Sequence, residues 1–345
     1  MKRGSDKKGF ILVTAALVIS MLAVLCMCIA HWTQIQLAES SYRQIECQME
    51  RYIDNALIGA VYLIQSGGHH SYCGSYKTVD EPQWFDESTS VTVKMMINDL
   101  GGRIPINHAN PLILKEVLKE VWGSDAHVRS VIAAIEDWRG TAPNPRFNLS
   151  YGMQDPPYSA RHAPLKRIEE LLYVEGISAA QFWGSLAVSR PGDDTPFLTQ
   201  LSDTSSFSGL YDYLHAHPRL GLSVNGVPPH VWRVLLRAAL FDRPGAAERI
   251  IPSVLALRFG ADGVAGTNDD LAIESPQALF TTLGDDGMVA AQRLNEWLNF
   301  VFSAQALEIR IHISSSDSFV IKESVALVVS DGAGRYRPER FAYVR

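Results

Sequence analysis

Cysteine is scarce in this chain, four in 345 residues, and the four exclude more than they suggest. Cys26 and Cys28 lie inside an apolar run, where thiols behave as small hydrophobes. Cys47 and Cys73 are free to pair in an oxidising compartment, but their spacing decides nothing either way. No cysteine pair has zinc-site spacing with histidines nearby, so no metal is assigned to them. Excess charge is missing too. Charged residues make up 20% and the net charge is −6, which fits an ordinary folded protein and excludes a basic nucleic-acid binder. Ser150, Ser178 and Ser206 lack a nucleophile-elbow context, and no lysine follows the glycines at 260–266 to make a phosphate loop. His69 and His70 follow two glycines as loop residues, and His215 and His217 have no carboxylate at ligand spacing. Glu169 and Glu170 read as a solvated helix face. These absences point away from an enzyme.

What is present begins at the N-terminus. From Phe10 to Ala30 the sequence has neither charge nor proline. At ~1.5 Å per residue such a helix spans a ~30 Å hydrocarbon core. The run ends in Cys26-Met27-Cys28-Ile29-Ala30-His31-Trp32, a poor site for a secretory signal peptidase. Lys2, Arg3, Lys7 and Lys8 hold the leader on the cytoplasmic side and place the rest outside, with Trp32 at the far interface. Tyr42, Ile45, Met49, Tyr52, Ile53, Ala56, Ala60, Val61 and Ile64 then recur at three- and four-residue steps without a proline. The membrane helix therefore continues as an amphipathic helix to about Gln65, with Gly67-Gly68 as the stop.

The soluble part repeats itself. "INHANPLILKEVL" from Ile106 matches "VNGVPPHVWRVLL" from Val224 at a constant offset: Asn107 with Asn225, Ala109 with Val227, Pro111 with Pro229, Leu114 with Trp232, Leu118 with Leu236. "VIAAIEDWRG" (131–140) then matches "IIPSVLALRFG" (250–260) with the offset grown by one. Both copies read as a turn, a proline near a helix start and an apolar helical stripe, and a long-period repeat means duplicated supersecondary units. Around the repeat lie strands. Residues 90–106 alternate and lead through a Gly-Gly turn to a second short strand, and three more strands are expected at 306–315, 318–330 and 336–345. The fold class is thus α+β: a long N-terminal helix packed on an antiparallel sheet that is interrupted by a large duplicated all-α insert.

A basic leader ending in Gly9, then Phe10 and a long helix, resembles the class III signal of type IV pilins and of the pseudopilins of type II secretion. The resemblance implies that a prepilin peptidase cuts between Gly9 and Phe10 and methylates the new N-terminus, so the apolar segment is kept for assembly. Most pilins carry glutamate at the fifth residue after the cut; here it is Thr14. A carboxylate in lipid is costly unless paired, and a subunit at a filament end has no neighbour to pair with. "DLGGRIPINHANP", "EDWRG", "DPPY" and "APLKRIEELLYVEGIS" are similar to the K-type minor pseudopilin (general secretion pathway protein K), which carries two small helical subdomains in a pilin fold. The resemblance departs after Trp138, where the family's acidic run is replaced by "RGTAPNPRFN".

On that basis the chain divides into a leader (1–9), a transmembrane and amphipathic helix (10–66), a first part of a pilin sheet (67–105), two SAM-like helical subdomains (106–220 and 221–304) and C-terminal strands (305–345). The implied setting is the bacterial inner membrane, single pass, with the C-terminal domain in the periplasm. Implied partners are other minor pseudopilins, the major pseudopilin and the prepilin peptidase; the interface residues are Thr14, Tyr42, Ile45, Met49 and Tyr52, the last four on apolar helix faces that meet the other minor pseudopilins. Asp262, Asn268, Asp269 and Asp270 supply hard oxygens in a glycine-containing loop, which suits calcium, and the loop is similar to the calcium loop of the major pseudopilin. An Asp/Asn/Gly surface turn without an ion is the other reading of that loop. Two alternatives to the main reading stay open: a minor subunit of a type IV pilus or DNA-uptake machine, and an uncut single-span protein. "ELLYVEGISAAQFWGSL" looks like a helix-hairpin-helix, the unit by which the latter would grip DNA. Ser178 replaces its second hairpin glycine, and Glu169, Glu170 and Glu175 outweigh Lys166 and Arg167, which favours a structural hairpin and no nucleic acid.

Overall fold

The computed structural model describes residues 6–66, 75–77, 91–123, 125–184, 209–261, 271–273, 275, 284–315, 321–331 and 335–344. The chain divides into two compact units, Met1–Asn55 and Ala56–Arg345.

The first unit is helix. Helix α1 runs without a break from Asp6 to Ser66, 61 residues that take in Lys7 and Lys8. Among its described residues every side chain from Val13 to Gln44 is exposed, large apolar ones such as Leu17, Ile19, Met21 and Met27 included. Exposed apolar surface of this extent is incompatible with water and is what lipid or a partner helix covers. The described part of the helix from Val13 onward is long and apolar enough to cross a membrane.

The second unit begins in the same helix, where Ala56, Ala60 and Ile64 are fully buried. Its frame is a five-stranded antiparallel sheet in the order β1 (Ser75–Lys77), β2 (Val91–Asp99), β7 (Ala306–Ser315), β8 (Ile321–Ser330) and β9 (Tyr336–Val344). Strands β2 and β7 are hydrogen-bonded neighbours, with Asp99 opposite Leu307, so residues 100–305 leave the sheet and return between adjacent strands. On β7 the period of two puts Leu307, Ile309, Ile311 and Ile313 on one face. The opposite face carries Glu308, Arg310 and His312, and these are buried as well.

The excursion opens with a 3-10 turn (Leu100–Gly102) and β3 (Ile104–Pro105). Helix α2 (Pro111–Trp122) follows, begun by the Asn110 side chain on the Leu112 amide and by Pro111 in its first turn, and ended by Gly123 at φ 64°. Next come α3 (Asp125–Arg139), α4 (Pro145–Gly152), a 3-10 turn (Ile168–Tyr173), α5 (Ala179–Trp183), α6 (Leu210–Tyr213) and β4 (Leu214–His215). The later half contains β5 (Leu222–Ser223), a 3-10 turn (Val224–Gly226), α7 (Pro229–Ala239), α8 (Pro244–Phe259), α9 (Gly284–Trp297) and β6 (Phe300–Val301). One continuous apolar core joins both halves, with Ile113, Leu114, Val117 and Leu118 of α2 and Val231, Trp232, Leu235 and Leu236 of α7 among its members, and α2 packs directly on α7.

Each half starts with a two-residue strand that pairs in parallel with a two-residue strand at its own end: β3 with β4, and β5 with β6. Asn107 and Asn225, aligned in the sequence repeat, make the same bonds. The Asn107 side chain donates to the Leu165 carbonyl and accepts from the Leu165 amide at 2.9 and 2.8 Å. That of Asn225 does the same to Ile273 at 3.0 and 2.7 Å. Arg139 donates to the Ile106 carbonyl, and its repeat partner Arg258 to the Asn225 carbonyl.

Candidate functional site

Two places in the chain carry more than packing: the exposed apolar side of α1, and the joint at which the insert meets the sheet.

On α1 the sequence stripe splits. Met49 and Ile53 are buried along with Ala56, Ala60 and Ile64, while Tyr42 is exposed and Ile45 and Tyr52 are half-buried. Met49, expected at the interface with the other stripe residues, is 2% exposed. Thr14 stays on the exposed, apolar part of the helix. Gly9 and Phe10 are in α1, and their side chains lie outside the described residues. Two exposed apolar side chains that sequence reasoning missed are Ile58 and Tyr62, one turn apart. Their four-residue spacing was visible in the sequence, but they fall outside the stripe traced there. Cys47 is a free, exposed thiol, and Cys73 lies outside the described residues.

The joint is built on the polar face of β7. Glu308 accepts from Arg310 Nε at 2.7 Å, from Arg103 Nη2 at 3.4 Å and from the Tyr211 hydroxyl at 2.9 Å. Both guanidinium groups also lie over the Tyr211 ring, at 4.6 and 5.3 Å from its centroid. Arg103 follows the first turn of the insert and Tyr211 sits on α6, so one carboxylate ties the sheet to both ends of the first helical half. Burial alone would raise the Glu308 carboxyl; the Arg310 and Arg103 charges, with hydrogen bonds from Arg310 and Tyr211, outweigh it and hold it down at about 2. Beside the joint, His215 on β4 is buried. Desolvation and the Arg103 charge push it down to about 3, so it stays neutral, with Nδ1 accepting from the His217 amide. A buried neutral histidine there is structural.

Glu170 also differs from its expected place on a solvated face. It accepts two bonds from Arg161, at 2.7 and 2.9 Å, one from the Lys166 amide and one from the Trp138 indole. The hairpin after it consists of a 3-10 turn, Gly176 at φ 87° and the five-residue α5 capped by Ser178. Helices this short, flanked by acidic side chains, offer little to phosphate.

The expected calcium ligands Asp262, Asn268, Asp269 and Asp270 lie outside the described residues. At the base of that loop the Leu271 amide donates to the Arg258 carbonyl at 3.0 Å, which brings the two ends together. Among the described residues no group of three or more His, Cys, Asp or Glu side chains is placed to hold a metal ion.

No protein-family model matches the chain, and no curated protein matches it in sequence. Its likeness is in three dimensions. A chain from the crystal structure of the GspK-GspI-GspJ complex of the enterotoxigenic Escherichia coli type 2 secretion system superposes with a TM-score of 0.58 at 12% identity. The match covers 89% of this chain and 98% of that one. The fold is therefore that of this complex's pilin-like chain: α+β, with a long N-terminal helix, an antiparallel sheet and a large helical insert between two of its strands.

Proposed function

We propose that the chain is a minor pseudopilin of a type II secretion system, the tip subunit of a short periplasmic filament, and that it works by assembly without catalysing a reaction. The observation that carries this reading is the near-complete structural match to a chain of a GspK-GspI-GspJ complex, taken together with the exposed apolar helix. The membrane-spanning part of α1 holds the subunit in the inner membrane until other helices cover its apolar side chains and draw it into the filament. Thr14, in place of the glutamate usual in pilins, suits a subunit with no neighbour's amine to neutralise. The insert of residues 100–305 supplies the bulk that would bar a further subunit. By analogy with the matched complex, its partners would be counterparts of GspI and GspJ, with the major pseudopilin and the prepilin peptidase as further contacts.

The test is co-expression of the full chain with a prepilin peptidase, followed by mass spectrometry of the N-terminus and purification against tagged minor pseudopilins. N-methylated Phe10 and a stable hetero-complex are expected. An intact Met1 leader in the presence of active peptidase overturns the reading. Correct cleavage without a minor-pseudopilin complex would instead favour a pilus or DNA-uptake role.

A further inference from the structure

Beyond the apolar run, the first unit's part of α1 places its apolar side chains by one rule. Ile35, Ala38, Tyr42, Ile45, Met49 and Tyr52 alternate steps of three and four residues, the a and d positions of a heptad. The stripe changes width along its length. From Met49 onward it is broad: Met49 at a and Ile53 at the adjoining e position are buried, and Tyr52 at d is half-buried. Before Met49 it is narrow and open. The e positions there are Glu39 and Glu46, Ile35 and Tyr42 are 49% and 59% exposed, and Ala38 is exposed with them. Between residues 33 and 48 the apolar side chains off the stripe are Leu37 and Cys47.

A stripe three positions wide suits packing within a fold, whereas one restricted to a and d is the seam of a coiled coil. Residues 33–44 bury nothing against the rest of the chain, and helices in water owe most of their stability to such burial. The seam at 35–45, ~15 Å long, therefore fits one further helix.

The kind of helix follows from layer volumes and charge, and this step rests on the pseudopilin reading. A partner anchored in the same membrane runs parallel, so a faces a and d faces d. Against a second copy, the Tyr42 layer would hold two rings and the Ala38 layer two methyl groups, one turn apart. The helix spacing that admits the first leaves the second hollow. In a parallel pair e faces g of the other helix. A second copy would present Gln34 and Ser41 there, both neutral, to Glu39 and Glu46. Glu39 meets Arg43 of its own helix at 2.6 Å, an exposed pair that holds little.

We infer that residues 35–45 are one half of a parallel two-stranded coiled coil made with the long helix of a different subunit. That helix sets a small side chain against Tyr42, a bulky one against Ala38, and lysine or arginine against Glu39 and Glu46. Anchoring in one membrane supplies the effective concentration that so short a seam lacks alone.

The test places a photoreactive benzoylphenylalanine in turn at each position from 34 to 46 of the full chain. The chain is co-expressed with prepilin peptidase, tagged minor pseudopilins and a differently tagged second copy of itself. Crosslinks to one minor pseudopilin are expected to peak at 35, 38, 42 and 45 and to drop at 36, 40 and 43. Crosslinks that ignore this period, in a complex that still forms, overturn the seam and leave the secretion reading standing. The same peaks on the second copy overturn the choice of a different subunit. No complex with any minor pseudopilin defeats the secretion reading and the seam together. Ile35→Ser combined with Tyr42→Ser is expected to cut co-purification ~tenfold. Leu37→Ser, off the seam and 70% exposed, should leave it unchanged; equal losses overturn the seam. All three side chains are exposed, so the variants keep the fold, which an unchanged unfolding midpoint verifies.

Discussion

At the scale of single residues the two asparagines of the insert carry the most. Each amide satisfies one backbone donor and one acceptor that would otherwise be buried without partners. Asn225→Ala is expected to cost ~2–3 kcal/mol in chemical denaturation, and Asn107→Ala, whose surroundings are partly open, ~1–2 kcal/mol. Equal small losses would mean that water replaces the amides. Gly102→Ala should be worse than either, because its new methyl group meets the Gly226 carbonyl and both partners are backbone. A drop of more than ~2 kcal/mol is expected, read as a lower midpoint of thermal unfolding. The asparagines were visible in the sequence because both copies kept them at the same place before a proline. Their task was not, since Leu165 and Ile273 are brought back to them only by the folded helices.

At the scale of elements, strand β7 is the instructive one. Its alternation of Leu307, Ile309, Ile311 and Ile313 with Glu308, Arg310 and His312 reads in sequence as a strand with one wet face, and the strand itself was found by that pattern. The polar face is covered nonetheless. The covering groups, Tyr211 and Arg103, come from the insert, and sequence spacing holds no trace of contacts across 97 and 205 residues. Glu308→Ala leaves two buried guanidinium groups without their carboxylate and is expected to cost ~3–5 kcal/mol. Glu308→Gln should cost less, because it keeps acceptors for both arginines. The carboxyl's low folded value sets the pH sense: its contribution is complete above the unfolded value of ~4.3 and is lost as the pH falls toward 2. A Glu308→Gln variant should accordingly lose less stability than wild type between pH 4.5 and 3, a difference that acid unfolding curves would display.

At the scale of the whole molecule, the long helix and the interrupted sheet were legible from the sequence. A run from Phe10 to Ala30 with no charge or proline has few other physical destinies, and three alternating segments after residue 305 can pair only with one another or with the strand before the insert. Which side chains of the long helix stay exposed was legible only in part. Periodicity marks every residue on a stripe alike, whether the chain covers it, as with Met49, or leaves it open, as with Tyr42. Ile58 and Tyr62, exposed on the far side of the same helix, are expected to matter for complex formation more than Met49 does. Replacing both with serine should weaken co-purification with other minor pseudopilins several-fold while leaving the unfolding midpoint within ~0.5 kcal/mol of wild type. A Met49→Ser change should do the reverse.

Because Asp99 and Leu307 face each other across one ladder rung, the two ends of the excursion are only a strand spacing apart, ~4.8 Å. A tight hairpin of two residues could bridge that gap. The sheet thus has a ready grafting point, where nature could exchange one passenger domain for another without altering how the strands pair. An engineer could do likewise, provided the newcomer's ends lie close together and a partner is restored for the Glu308 carboxylate.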